Sequence, residues 1–120
     1  MTYSVTEQVV RWLNVHGYRA STRPPADAPD SPAEFVTVER TGGHIENMVD
    51  HPVMAIQAWA QTEARAEEMA NEIRNLALLS ERPRGVHRID VDSGPYPFYD
   101  EGTRCPRYQL VLDVTCQLID

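Results

Sequence analysis

The alternation of apolar and polar positions divides the chain into seven segments. Val5, Val9, Trp12, Leu13 and His16 recur at three- and four-residue spacing, which predicts a helix with one stripe laid on a flat partner. Ser4 opens it with Glu7 three places on, a capping-box spacing, and Gly17 is its stop. "YRAST" follows as a short strand-like piece. "RPPADAPDSPAE" reads as a surface loop, because its prolines block both ladder hydrogen bonds and helical dihedrals. "EFVTVER" alternates Phe35, Thr37 and Glu39 with Val36, Val38 and Arg40, a strand for which either face is possible.

The stretch "TGGHIENMVDHP", residues 41–52, then separates this strand from "VMAIQAWAQ", a second apolar strand. Connections of that length in a small domain are commonly functional or mobile, so a flexible arm is expected here. Thr62 caps the longest helix, "EARAEEMANEIRNLALLS", with Ala66, Met69, Ala70, Ile73, Leu76 and Ala77 on one face. Trp59 and Met69 are expected to meet where the second strand touches that helix. "VHRIDVDSG" reads as a strand, "PYPFYDEGTRCP" as a Pro- and aromatic-rich connection, and "RYQLVLDVTCQLI" as a last strand. In that strand Tyr108, Leu110, Leu112, Val114, Cys116 and Leu118 form an apolar face. The order α-β-β-β-α-β-β predicts an α+β fold, a mostly antiparallel sheet with two helices on one face, as a single domain over residues 1–120.

Composition narrows the function. The 120 residues hold 18 acidic against 11 basic side chains, a formal charge of -7, with no basic block to follow a phosphate backbone, which disfavours wrapping by nucleic acid. Cys105 and Cys116 read as two free thiols in a reducing compartment. The first residues, "MTYSVTEQVVRWL", lack the basic and continuous apolar regions of a signal peptide, and no apolar run approaches a membrane span. A soluble, intracellular chain is expected.

Candidate chemistry is sparse. "RTGGH" has neither the lysine and hydroxyl of a P-loop nor the GxGxxG spacing of a dinucleotide fold. His44, Glu46, Asp50 and His51 are all of metal-ligating type, yet the two histidines are too far apart for a helical i/i+4 or strand i/i+2 pair, so a solvated loop is the expectation. A Cys-His nucleophile pair through His16 or His87 has no support in the spacing. Asp90 and Asp92 read as the solvent side of an edge strand. No catalytic, cofactor or metal site is expected, and the chain does not read as an enzyme.

The ordered segments carry a resemblance. "VVRWLNVHGYRASTRPPADAPDSPAEFVTVERTGG", "VDHPVMAIQAWAQTEARAEEMANEIRNLAL" and "GPYPFYDEGTRCPRYQLVLDV" resemble the tail terminator proteins of long, non-contractile-tailed bacteriophages of actinobacteria, over nearly the whole chain. The distinctive pieces are W-L-x-x-x-G-Y, P-x-x-F-V-x-V-E-R-T-G-G, D-x-P-x-x-A-I-Q-x-W-A and the terminal R-Y-Q-L.

The resemblance implies a non-enzymatic homo-oligomer, usually a hexameric ring, located at the head-proximal end of the virion tail. It would cap the tail tube protein, stop its polymerisation and present a surface to head-tail connector and neck proteins, while DNA passes through the lumen without specific binding. An acidic balance suits such a channel. Arg40, Thr41, Gly42, Gly43, His44 and Asp50 in the arm, with Tyr96, Phe98, Tyr99 and Arg107 near the last strand, are the candidate contacts to neighbouring subunits and tube. A head-tail connector is the nearest alternative. A small metal-dependent hydrolase using His44, Asp50 and His51 is a more distant one.

Overall fold

The computed structural model describes residues 3–24, 34–98 and 106–117. The first helix, α1 (Val5–Val15), begins where the Ser4 hydroxyl accepts the Glu7 amide and buries Val5, Val9, Trp12 and Leu13, the stripe its spacing predicts. His16 is the exception: it is the C-cap, exposed, with its ring edge-on to Trp12. Asn14 then fixes the next element, β1 (Ala20–Ser21), by exchanging two hydrogen bonds with the Ala20 backbone at 3.0 and 3.1 Å.

Strands β2 (Phe35–Glu46) and β3 (Val49–Trp59) form one long antiparallel hairpin. This overturns the expected flexible arm: residues 42–46 pair with 49–53 in unbroken register, past a bulge between Arg40 and Gly42. The turn is Asn47-Met48, both at positive φ (53° and 64°), the two-residue geometry whose twist matches that of paired strands. The paired glycines belong to the ladder. Gly43 has φ 125°, and a Cβ there would lie 2.3 Å from the His51 carbonyl oxygen, so the backbones approach closely only because that position lacks a side chain.

Helix α2 (Glu63–Leu79), capped by Thr62 accepting the Arg65 amide, buries Ala66, Met69, Ala70, Ile73 and Ala77. It leads into β4 (Val86–Pro97) and β5 (Arg107–Gln117). Here β4 outruns its expected end at residue 94, because "PYP" continues the edge strand, where a proline's missing N–H costs no ladder bond.

The sheet order is β1-β2-β3-β5-β4, antiparallel except for the short β1–β2 contact. Both helices cover one face, where Val36, Val38, Met54, Ile56, Leu110, Leu112, Val114 and Cys116 join their stripes in a single core. The fold is α+β, as expected. Trp12 Nε1–H of α1 donates to the Glu81 carbonyl, just past α2, at 2.7 Å, and Tyr18 Oη–H, just past α1, donates to Glu72 of α2 at 2.8 Å. Trp59 corrects the expected packing. It lies on the other face, stacked on Phe35 with centroids 5.1 Å apart, in a small cluster separate from the one holding Met69. Strand parity decides this, because Trp59 is an odd number of residues from the core positions Met54, Ile56 and Ala58.

Candidate functional site

The candidate residues separate into two groups. The first lies on the hairpin. Arg40 reaches Asp50 with two hydrogen bonds, 2.9 and 3.1 Å, in a fork-to-carboxylate pair within the chain. Thr41 occupies the bulge, its hydroxyl near the Val53 carbonyl at 3.4 Å. Ile45 pairs with Asp50, so Asp50 projects to the face opposite His44 and His51, which are themselves directly paired.

That register changes the reading of the two histidines. Seven apart in sequence, they are cross-strand neighbours with rings stacked at 4.8 Å and 13°. Glu46, two along from His44 on the same face, has a carboxylate oxygen 3.7 Å from His44 Nε2. Asp50 is excluded from this group, so the hydrolase set of His44, Asp50 and His51 is not assembled. Cys116, opposite Asp50 on β5, is buried in the core. Its thiol pKa is raised, first by burial and then by the Asp50 carboxylate, which makes it a poor nucleophile.

The second group lies on the face without helices. The Arg107 guanidinium sits 4.3 Å from the Trp59 ring centroid and 4.8 Å from that of Phe98, between two aromatic surfaces. It donates to the Phe98 carbonyl and to Gln57 Oε1, at 3.2 and 3.4 Å. From there polar contacts cross three strands: Gln57 Nε2–H donates to Gln109 Oε1 at 2.8 Å, and Gln109 Nε2–H to Tyr96 Oη at 2.6 Å. Trp59 Nε1–H donates to the Thr37 hydroxyl at 3.1 Å. Thr37, Gln57, Trp59 and Arg107 line a shallow depression of about 260 Å³ together with Thr22, Pro24, Glu39 and Ala55. Tyr96, Phe98 and Arg107 are thus brought together, with Gln57, Gln109, Thr37 and Trp59 as members the sequence reading missed. Their signal was available only as the polar side of alternating strands. Tyr99 and Cys105 lie outside the described residues.

Asp90 and Asp92 are both exposed, and Asp90 accepts from Arg88 at 2.8 Å. A register shift between Val91 and Ser93 interrupts the alternation that would set them side by side. Among the described residues, no helix is long and apolar enough to cross a membrane. A scan against protein-family models and a search of the curated proteins both found no match to this chain.

Proposed function

We propose that this chain is a structural ring protein, a tail terminator that closes the head-proximal end of a phage tail tube. The observation that carries the reading is the β2–β3 hairpin. Among the described residues, the outer edge of β2 has no ladder partner beyond Thr37, and the end of the hairpin exposes Ile45 (60%) and Met48 (73%). An open edge with apolar side chains at its tip is the kind of surface that a neighbouring copy can extend by strand addition or cover by packing. A heterologous contact of this type closes into a ring when its rotation permits.

Arg40 and Asp50 serve that reading differently from the expectation. Their charges are spent on each other, so they brace the hairpin from one side, and the intersubunit contact falls to the β2 edge, Ile45 and Met48. The Tyr96, Phe98 and Arg107 group supplies a second, aromatic surface for the tube or head side. Aromatic and arginine side chains are the types enriched at the energetic centres of interfaces.

The test is electron microscopy of particles assembled without this chain. Overlong, headless tails are the expected result. Filled heads beside tails of ordinary length would transfer the chain to the head-tail connectors, and infectious particles of normal shape would overturn both readings.

A further inference from the structure

We infer that His44, Glu46 and His51 form a binding site for a divalent transition ion of the zinc class at the end of the β2–β3 hairpin. Two imidazoles and a carboxylate are a donor set that zinc accepts. One ligand atom from each of the three lies within 4.8 Å of the other two. Around a tetrahedral ion with bonds of about 2.1 Å, ligand atoms stand about 3.4 Å apart. The His44–Glu46 contact at 3.7 Å is already close to that value. Binding takes a closure on the order of 1 Å and a tilt of the two rings out of their stack so that their nitrogens converge, within reach of side-chain rotation, since His44 and Glu46 are both 67% exposed.

The backbone beneath these side chains is fixed by features that do not depend on an ion. The Asn47-Met48 turn sets the register that puts His44 opposite His51, and the extended chain puts Glu46 on their side. Gly43, next to His44, allows the strands to close to a distance that a Cβ would forbid. Arg40 and Asp50 hold the same hairpin from its other face. The fourth coordination position is open to water, the arrangement of a three-ligand zinc site. Bound there, the ion would clip the two strands together next to the turn. This inference does not rest on the assembly reading, because metal affinity is a property of the single chain.

The test is a Zn2+ titration of the full chain followed by histidine ring resonances in NMR. The expected result is saturation at one ion per chain, with His44 and His51 shifting and His16 and His87 unmoved. Loss of even an outer-shell partner weakens metal affinity by roughly 10–100-fold, so removing a direct ligand, in His51→Ala or Glu46→Gln, is expected to cost at least about tenfold. Glu46→Gln is exposed and isosteric, so it reads the site even if His51→Ala disturbs the hairpin. Absence of binding, shifts at His16 or His87 without His44 and His51, or an unchanged affinity in Glu46→Gln would each overturn the proposal.

Discussion

Along β5, Leu110, Leu112, Val114 and Cys116 enter the core beneath the helices, while Gln109, Val111, Asp113 and Thr115 alternate with them on the other side. The same division runs through β3, where Met54, Ile56 and Ala58 face the helices and Ala55, Gln57 and Trp59 face away. Two faces of one sheet therefore rest on different physics. Under the helices, stability comes from apolar area removed from water by two layers. On the open face it comes from one aromatic stack and a chain of side-chain hydrogen bonds, each of small net value. That contrast teaches where change is tolerated, because a polar lattice gives up one bond at a time whereas a packed core gives up a cavity.

The sharpest test is Leu110→Ala. Leu110 is fully buried in the helix-covered core, and its truncation should cost about 2–5 kcal/mol in denaturant unfolding at unchanged m-value. Trp59→Ala should fall at the low end for truncation of a buried tryptophan, about 3 kcal/mol, since the side chain leaves a two-residue cluster outside the main core. A loss near the upper end, about 5 kcal/mol, would mean the two faces share one core, and the contrast would fail.

Gly43→Ala should cost roughly 1–2 kcal/mol through a strained φ and a backbone clash. Its effect should be local: amide exchange should quicken at residues 44–51 while α2 and the core of β5 stay protected. Uniform quickening would show that the hairpin end and the core open as one unit.

The smallest expected effect is alkaline. Burial, first of all causes, pushes the Tyr3 phenol up to about 12, and also raises Tyr18, whose hydroxyl donates a hydrogen bond to the Glu72 carboxylate. Cys116 moves in the same direction. Groups whose folded pKa lies above the unfolded value favour the fold while protonated. Their contribution is complete below the ordinary thiol value of 9.0 and tyrosine value of 10.0, and is lost as pH rises through the folded values. Both tyrosines are partly exposed, so solvent screening keeps the loss small. Stability measured from pH 8 to 12 should therefore decline, and Tyr18→Phe should flatten the decline. An identical slope in the variant would assign it to other groups.

How much of this was legible varied with the range of the interaction. Both helices, their Ser4 and Thr62 caps and their buried stripes follow from spacing within a few residues, and so does the apolar face of β5. The α+β class follows from element order. The hairpin is not legible in the spacing, because residues 41–52 read by their length as a connection and Asn47-Met48 is not a usual turn pair. The signal lay in "HIE" and "VDH" flanking two residues of which the first, asparagine, tolerates positive φ.

By itself, then, the sequence determined local periods, caps and the division of each strand into two faces, since these depend on neighbours along the chain. Which face the helices would cover, and with whom each side chain would meet, was decided by tertiary structure. Phe35 and Trp59 are apolar yet fall on the open face, because alternation is relative and only packing assigns the faces. Gln57 and Gln109 meet because β3 pairs with β5 across the intervening α2 and β4. His44, Glu46 and His51 converge because a register fixed by the turn and by Gly43 folds seven residues of chain into one cross-strand step, and no linear spacing rule carries that information.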